Sequence, residues 1–429
     1  MEAGGDLAQV VPAGTHGDDV EINPIGVYSS CQLADDHLDP SGDAESPHEV
    51  NDADWEFAMW TFCAVCAGHT IRNMRRRRGH RGNSTDRTIV VLKSGPYGDV
   101  TSMRRLPYRI DELRQSGWGL AWSDEHLSDG WAKVARTERL FFPWVQPWLT
   151  RRARRGAAAT VAMFESEGHG LAFFRLVTGR RNPPLLVVGC WLADLARAGG
   201  WRRWVYRRLY RAVDAVVVFS TNQRETLAAL LEIEPDRIHV VPFGVDLERL
   251  SLATSTVNGS VVAVGRDLGR DWKTLALAAG GSRWRVHLYT RVQQVEGLEL
   301  PEEIDFRGSV DSDTYLAALA AAAVVVIPTD VREYPTGQTV MLEAMALGKA
   351  CVVTDTPAMR DYVDHGVNGL LVPASDPVAL RRAVDELLAD ADLRQRIGEG
   401  AATYAASTGG AAAMWARVSS IVEELVERS

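Results

Sequence analysis

The chain has 429 residues, of which 46% are hydrophobic and 24% are charged, and its formal net charge is −9 at pH 7. This composition is typical of a globular protein of two or three domains, and it excludes a collagen, a coiled coil and a fully disordered chain. The charge is unevenly placed, because residues 1–71 contain 14 acidic and no basic side chains, whereas residues 72–429 contain 47 basic and 42 acidic ones.

The first 86 residues form two segments of different composition. Residues 1–54 are acidic and poor in aromatic side chains, which predicts a disordered tail. In residues 55–86, a dense apolar run that predicts a helix is followed by four consecutive arginines, Arg75 to Arg78. Two interpretations stay open: a helix packed on the following domain with solvated arginines, or a peripheral contact of residues 55–81 with an anionic membrane surface.

The sequence contains no run of 18 apolar residues without a charge, and its acidic start does not look like a secretory leader. We therefore expect a cytoplasmic protein that could be peripheral at the inner face of the membrane. The five cysteines are sparse and predict no disulfide framework. Cys63 and Cys66 have the spacing of a metal or redox pair, but their apolar neighbours favour helix packing.

From residue 87 onward, short β-branched runs alternate with amphipathic helices, which is the pattern of parallel α/β layers. The predicted strands are Thr88–Leu92, Thr160–Phe164, Leu185–Val188, Ala215–Phe219, Ile238–Val241, Val261–Val264, Arg285–Tyr289, Val324–Ile327, Ala350–Thr354 and Gly369–Val372. These two sets of five predict two doubly wound Rossmann-like domains, residues 87–245 and 246–406, that face a central cleft. The apolar stripe of a last helix, within residues 407–429, needs a surface to cover.

Open parallel sheets bind ligands at the carboxyl ends of their strands, so we expect the chemistry in the loops that follow the strands. The loop after Val261–Val264 contains Arg266, Arg270 and Lys273. Arginine forks onto phosphate oxygens and lysine adds a point charge, so these residues could bind a diphosphate. The alternative is that all three cations face solvent.

The loop after Val324–Ile327 holds a second set of candidates. Gly337 allows close backbone approach, and the amides of the helix that begins next can receive an anion. Glu343 lies one turn after Thr339 on the same face, where it could accept hydrogen bonds from a sugar hydroxyl; a solvated helix glutamate is the alternative. The donor-binding candidates of this loop and helix start are Thr336, Gly337, Gln338, Thr339 and Val340.

These segments resemble the nucleotide-sugar glycosyltransferases of the GT-B fold, family four. The resemblance covers about residues 85–429 and is strongest over residues 212–405. The motifs that carry it, in this order, are Val216–Arg224, Val241–Asp246, Phe306–Val310, Thr339–Val353 and Asp364–Pro373. No single motif is decisive, but five in the right order are specific.

The resemblance implies a retaining glycosyltransferase that uses a nucleoside diphosphate sugar as co-substrate, with no metal and no other cofactor. Its acceptor would be a small molecule, a glycan or a lipid-linked sugar. The resemblance assigns Glu343 to the nucleotide ribose, and Arg266 and Lys273 to neutralising the donor diphosphate. It further implies that the last helix crosses back onto the N-terminal domain.

The sequence departs from the family pattern at the donor site. Pro335 stands where the first of two glutamates spaced eight residues apart is expected. Glu333, Gln338 or loop amides are therefore candidates for the donor-sugar contact. The interval between the arginine and the lysine of the diphosphate site is also longer than usual, so Arg270 is a candidate for one of their roles.

The N-terminal half departs from the pattern as well, because Gly189-Cys190-Trp191 stands where the family has a histidine. Its acceptor or cleft candidates are Gly95 and Gly98 after the first strand, and Glu165 and Glu167 after Phe164. His169 beside these two carboxylates could assist proton transfer and is a catalytic candidate. A solvated loop histidine is the alternative.

Three other functions compete with sugar transfer. A sugar-nucleotide epimerase shares the two-domain fold, and a non-catalytic partner protein could bind the sugar nucleotide without reaction. A nicotinamide dehydrogenase is the weakest alternative, because no G-x-G-x-x-G motif follows a strand. We expect no nucleic-acid partner, and the sequence leaves the donor base, the donor sugar and the oligomeric state open.

Overall fold

A computed structural model of the chain describes residues 9–10, 87–92, 107–123, 146–148, 150–253, 259–267 and 269–429. Two parallel sheets with helices on both sides dominate these residues, which confirms the predicted pair of doubly wound domains. Most of the acidic segment 1–54, the whole of residues 55–86, Gly95 and Gly98 lie outside the described residues.

The N-terminal sheet has six parallel strands in the spatial order β3-β2-β4-β5-β6-β7. Its strands are β2 (Thr88–Leu92), β3 (Gly119–Trp122), β4 (Ala159–Ala162), β5 (Leu185–Val188), β6 (Ala215–Val218) and β7 (Ile238–Val240). The central strands are buried on both faces, which explains why they are continuous apolar runs without polar alternation.

Helices cover both faces of this sheet, and a 3₁₀ helix, Pro107–Arg114, precedes β3. The α-helices of this half are α1 (Arg151–Arg154), α2 (Glu165–Thr178), α3 (Leu192–Ala198), α4 (Gly200–Leu209) and α5 (Thr221–Leu231). A core of apolar side chains from β4, β5 and β6 packs against α2, α3 and α5. A short helix, α6 (Leu247–Leu250), capped by the Asp246 carboxylate, follows β7 and leads into the second half.

The C-terminal sheet also has six parallel strands, in the order β11-β9-β8-β12-β13-β14. Its strands are β8 (Val261–Val264), β9 (Val286–Tyr289), β11 (Ile304–Phe306), β12 (Val324–Ile327), β13 (Ala350–Thr354) and β14 (Leu370–Val372). The strand order reverses between β8 and β12, where the chain leaves one side of β8 and returns on the other. In doubly wound sheets such a switch point opens a crevice beyond the strand ends.

The helices of the C-terminal half have clear start signals. Asp271, Asp311, Asp376 and Asp390 each accept hydrogen bonds from amides of the first turn that they cap, and Pro377 occupies the first position of α10. The helices are α7 (Trp272–Ala279), α8 (Ser312–Ala321), α9 (Gln338–Ala346), α10 (Pro377–Ala389) and α11 (Ala391–Ser407).

The last helix, α12 (Ala411–Glu427), packs against the 3₁₀ helix and β4 of the N-terminal half. It buries the apolar stripe that the sequence shows, including Trp415 and Val422. Its Ser419 hydroxyl accepts a hydrogen bond of 2.8 Å from the indole of Trp118. The chain therefore returns to the N-terminal sheet after completing the C-terminal one.

Four strands were not predicted from the sequence. β3 and β11 are short edge strands, and β3 contains no β-branched residue, so neither gives a strong pattern. β10 (Glu299–Leu300) pairs antiparallel with β1 (Gln9–Val10). Two residues of the acidic segment, Gln9 and Val10, therefore form a strand. Among the described residues, no helix combines the length and the apolar composition that crossing a bilayer requires.

Candidate active site

The switch point between β8 and β12 brings together the two loops that the sequence indicated. The loop after β8 includes Gly265 and Arg270, and the loop after β12 leads through Gly337 into α9. An isolated bridge between Arg270 and Thr329 ties the two loops together. The candidate site therefore lies at the place where doubly wound sheets bind their ligands.

Arg270 is the most deeply placed cation of this site, with a side chain only 2% exposed. Asp267 accepts a hydrogen bond of 2.7 Å from its Nε atom. Its Nη1 atom is buried and has no hydrogen-bond partner. A buried guanidinium nitrogen without an acceptor is costly, and an anion is the kind of ligand that would satisfy it.

Two glycines make room for this guanidinium. A Cβ atom on Gly265 would clash with the Arg270 side chain, and one on Gly337 would lie 2.8 Å from Nη1 and 2.6 Å from Cγ2 of Ile327. Gly337 also has a φ of +80°, a left-handed backbone that glycine adopts without strain. These positions therefore require glycine both for space and, at Gly337, for conformation.

The start of α9 supplies further polar groups beside the arginine. The first-turn amides of Thr339 and Val340 have no acceptor within the helix, as at every helix start. The hydroxyls of Thr329 and Thr336 are buried, with no hydrogen-bond partner for either oxygen. Helix amides, two hydroxyls and a guanidinium thus lie on the two adjoining loops of the switch point, and that combination suits a phosphate group.

Arg266 and Lys273 do not join Arg270 in this volume. Arg266 is half-buried, and its Nη2 atom donates a hydrogen bond of 3.0 Å to the Val310 carbonyl, in the loop after β11. Lys273 is exposed, because Trp272 and Thr274 on either side of it turn towards the core in the first turn of α7. The three cations that the sequence groups together are separated by the fold into one buried and two peripheral positions.

Glu343 lies on α9 one turn beyond the helix start. Its carboxylate accepts a hydrogen bond from the Tyr315 hydroxyl of α8. Burial raises the pKa of Glu343 to about 7, although that hydrogen bond and the charge of Arg249 act in the opposite direction. The sequence did not indicate Tyr315, whose position beside α9 depends on the packing of α8.

Glu333 points away from the start of α9 and contacts the N-terminal half. Its carboxylate lies 2.6 Å from Nε of Arg197 and accepts a 2.7 Å hydrogen bond from the Thr226 hydroxyl. Its carbonyl oxygen accepts a 2.8 Å hydrogen bond from the Asn222 side chain. Glu333 thus connects the loop after β12 with α3 and α5, and its carboxylate is engaged in that contact.

Further contacts join the two sheets near this point. The Tyr362 hydroxyl donates to the Phe219 carbonyl at 2.7 Å and accepts from the Phe243 amide at 3.0 Å. Asp361 accepts a hydrogen bond of 2.5 Å from the Thr221 amide at the start of α5. On one side of the cleft, hydrogen bonds therefore connect the two halves of the chain.

Glu165 and Glu167 do not lie in a loop but in the first turn of α2, and both are almost fully buried. The Glu165 carboxylate accepts hydrogen bonds from the amides of Cys190 and Trp191, at 3.1 and 3.0 Å. Burial raises the pKa of Glu165 to about 8, and the neighbouring Glu167 adds to this effect. Glu165 thereby fixes the turn that follows β5, where the family histidine was expected.

His169 is also part of α2, so the expectation of a loop histidine is wrong. Its ring stacks on Tyr206 with a centroid distance of 5.0 Å and meets the edge of Tyr210 at 5.9 Å. Burial lowers the pKa of His169 to about 4. The imidazole is therefore neutral near pH 7, and it is packed between α2 and α4.

An aromatic cluster that the sequence reasoning missed connects the two halves. The Trp191 ring lies 5.3 Å from that of Phe164 and 6.2 Å from that of Tyr334, measured between centroids. Each of these residues follows a strand or lies in a loop at the carboxyl edge of a sheet. An aromatic residue within three residues of the end of a buried strand is the signal that could have indicated Phe164 and Trp191. Elsewhere, no three metal-ligating side chains come together in the described part of the chain.

Two sequence families match adjoining parts of the chain. The family described as Glycosyltransferase Family 4 matches residues 124–249, and the family described as Glycosyl transferases group 1 matches residues 262–390. The boundary between the two matches falls between β7 and β8. Each sheet thus corresponds largely to one of the two families.

Among curated proteins, the chain is similar to the alpha-maltose-1-phosphate synthase of Mycolicibacterium smegmatis. The identity is 30% over 235 residues, which is 47% of this chain and 61% of that protein. It is also 30% identical to a D-inositol 3-phosphate glycosyltransferase of Xylanimonas cellulosilytica over 222 residues, 44% of this chain and 52% of the relative. The matched region thus spans between half and two thirds of the length of these relatives.

The fold is similar to those of solved glycosyltransferase structures. Sucrose-phosphate synthase from Thermosynechococcus elongatus superposes with a TM-score of 0.63 at 19% identity, over 80% of this chain and 100% of that one. Anabaena Alr3699/HepE in complex with UDP-glucose superposes with a TM-score of 0.58 at 16% identity, over 80% and 100% of the two chains. At these identities the likeness concerns the fold.

Proposed function

The chain belongs to the GT-B glycosyltransferases, and on that premise we propose that it transfers a sugar from a nucleoside diphosphate sugar to an acceptor bound at the N-terminal side of the cleft. The observation that carries the proposal is the buried Arg270 guanidinium, whose Nη1 atom has no protein acceptor. It lies beside Gly337 and the first turn of α9. A diphosphate is the anion that such a place suits in a protein of this family.

In the proposed reaction, bond breaking at the anomeric carbon leaves negative charge on the diphosphate. The Arg270 guanidinium and the amides of Thr339 and Val340 would receive that charge, and the Thr336 hydroxyl could add a hydrogen bond. Because these groups are already oriented and buried, they stabilise the leaving group without reorganisation in the transition state. We propose Lys273 as an outer charge that attracts the donor, since its side chain is exposed.

The nucleoside would lie between α8, α9 and the loop after β11. We propose that Glu343, oriented by the Tyr315 hydroxyl, accepts hydrogen bonds from the ribose hydroxyls. Arg266, held at the Val310 carbonyl, would form the wall next to the base. In this arrangement Arg270 replaces Arg266 as the main diphosphate ligand, which accounts for the long interval between Arg266 and Lys273.

The donor sugar and the acceptor would meet near Trp191 and Tyr334, which lie on opposite halves of the chain. Aromatic rings present flat apolar faces on which sugar rings can pack. Retention of anomeric configuration and independence of a metal follow from the family resemblance. Anabaena Alr3699/HepE was solved with UDP-glucose, and this supports testing uridine donors first.

The test is calorimetric titration of the full chain with UDP-, GDP- and dTDP-sugars, comparing wild type with Arg270→Ala. We expect one donor class to bind and the variant to bind it about 100-fold more weakly, because a charge-assisted contact to phosphate is removed. Arg283→Ala is the matched control, since Arg283 is an exposed arginine just before β9, at the opposite edge of the sheet.

Two results would contradict the proposal. One is equal donor affinity in wild type and Arg270→Ala, and the other is wild type that binds no nucleoside diphosphate sugar. Product analysis without an acceptor distinguishes a transferase from a sugar-nucleotide epimerase. An epimerase would isomerise the donor sugar under these conditions. A transferase would leave the donor intact or hydrolyse it slowly.

A further inference from the structure

Helix α4 presents two tryptophans to solvent on one face. Trp201 and Trp204 lie three residues apart and are 56% and 59% exposed. The end of the helix is anchored, because Leu209 and the residue after the helix, Tyr210, are buried in the core. Scattered exposed apolar residues are ordinary, but two adjacent tryptophans on one helix face form a patch that indicates an interaction surface.

The helix is also strongly basic. Residues 200–211 contain five arginines and no acidic side chain. Arg202 lies over the Trp201 ring at 5.8 Å, and Arg208 lies over the Trp204 ring at 4.9 Å. Arg211 is also exposed, whereas Arg207 is paired with Glu232. We define the α4 surface as Trp201, Arg202, Trp204, Arg208 and Arg211.

Exposed aliphatic side chains lie near the end of the neighbouring helix. α2 packs against α4, and near its end Leu176 and Val177 are 44% and 58% exposed. Arg180 and Arg181 follow them and are exposed as well. Leucine and valine donate no hydrogen bond and offer no flat ring to a nucleic acid, but they can enter the acyl boundary of a bilayer. This combination favours a lipid surface over a nucleic acid as the partner.

We propose that the α4 surface, with the end of α2 beside it, docks the protein onto an anionic lipid bilayer. Tryptophan rings settle at the headgroup level, and arginines with long apolar stems place their charge among anionic headgroups. The stacked arginines keep both rings pointing outward in a preformed arrangement. This docking surface is distinct from residues 55–81 and does not depend on the proposed sugar transfer.

The test is co-sedimentation of the full chain with vesicles of phosphatidylcholine alone and of phosphatidylcholine mixed with phosphatidylglycerol. We expect binding to the mixed vesicles and little to the neutral ones. Trp201→Ala/Trp204→Ala should lower the partition coefficient at least about tenfold, because both interfacial anchors are lost. Arg202→Glu/Arg208→Glu should lower it by at least about fivefold for each charge changed.

Trp148→Ala is the matched control, because Trp148 is 49% exposed and carries Arg151 over its ring at 4.1 Å, on a different helix. It should bind vesicles like wild type, and circular dichroism should show all variants folded. Absence of wild-type binding, or wild-type binding that both the tryptophan and the charge-reversal variants retain, would overturn the proposal. Tight binding to single-stranded DNA that the tryptophan variant loses would assign the surface to nucleic acid and overturn it too.

Discussion

The two sheets present equivalent edges to the cleft, but their buried polar groups are used differently. On the C-terminal edge, Arg270, Thr329 and Thr336 each have a buried atom without a protein hydrogen-bond partner. On the described part of the N-terminal edge, the Glu165 carboxylate is held by the amides of Cys190 and Trp191. On the described N-terminal edge the unpartnered buried atoms include oxygens of Asp194 and Asn222, whereas on the C-terminal edge one of them is a guanidinium nitrogen, which suits an anion.

This difference bears on which of the two edges binds the proposed sugar donor. A buried polar atom without a partner destabilises the fold by about 1 to 3 kcal/mol, so a ligand that gave Arg270 an acceptor would recover free energy of that order on binding. A satisfied carboxylate needs no ligand and acts as a support for its loop. The comparison therefore supports the proposal that the donor binds at the C-terminal edge, and it gives Glu165 the role of holding the turn after β5.

The largest expected effect comes from a substitution that fills the space beside the Arg270 guanidinium at the C-terminal edge. In Gly337→Ala the new Cβ would meet Ile327 and the Arg270 guanidinium, and the left-handed backbone would be strained. We expect nucleotide-sugar affinity to fall more than 100-fold and stability to fall by about 2 kcal/mol. Calorimetry and thermal unfolding measure the two effects.

Gly366→Ala is the control for this change, because Gly366 has nearly the same φ, +79°, but open space where its Cβ would lie. Gly366→Ala should lose stability through backbone strain, but its affinity for the nucleotide sugar should equal that of wild type. If Gly337→Ala bound donor as tightly as Gly366→Ala does, the steric account of the donor edge would fail.

An intermediate effect is expected from the support at the N-terminal edge. The pKa of Glu165 is raised to about 8 in the folded protein from an ordinary value of 4.5. The folded state therefore holds this proton more tightly, and the stabilisation is present below about pH 4.5 and lost as the pH rises through 8. Glu165→Gln does not titrate, so its stability relative to wild type should improve by about 4 kcal/mol between pH 5 and pH 9.

Urea unfolding of both proteins across that pH range measures this difference, and Glu225→Gln, at an exposed glutamate of α5, is the control. A stability difference that stays constant from pH 5 to pH 9 would show that Glu165 is not a buried, proton-holding support. The amide substitution also keeps an acceptor for one of the two loop amides, which limits disruption of the turn.

The smallest effect should come from Glu333, which the sequence proposed as a donor-sugar contact. Its ion pair with Arg197 is partly exposed, since the arginine side chain is 62% accessible, so we expect Glu333→Gln to lower stability by less than about 1 kcal/mol. Donor affinity should stay within about twofold of wild type. A tenfold loss of donor affinity would instead show that Glu333 contributes to donor binding. The two edges would then differ less than we propose.

The strands could be predicted because each buried parallel strand is a continuous apolar run bounded by loops, as Val324–Ile327 and Val261–Val264 are. The position of the candidate site could be predicted for the same reason, because parallel strands place their following loops at one edge. The short edge strands Gly119–Trp122 and Ile304–Phe306 could not, since three or four residues without a strong pattern give no local signal.

The roles of individual side chains were harder to predict. Arg266, Arg270 and Lys273 look equivalent in the sequence, and only the contact between Arg270 and Gly337, 67 residues apart, distinguishes the buried cation. His169 looks like a free loop histidine until α4 places Tyr206 against it. These assignments depend on partners far away in the chain, which no local pattern contains.

The sequence by itself determined the two α/β domains and the loops that follow their strands at the carboxyl edges of the sheets. These follow from burial, helix capping and backbone conformation, which act over a few neighbouring residues. The tertiary structure alone decided that Arg270 is the cation held at the start of α9, that Glu333 joins the two halves, and that Glu165 supports a turn. Those outcomes depend on which polar groups lose contact with water on folding. They also depend on which residues far away in the sequence then supply the hydrogen-bond partners of these groups.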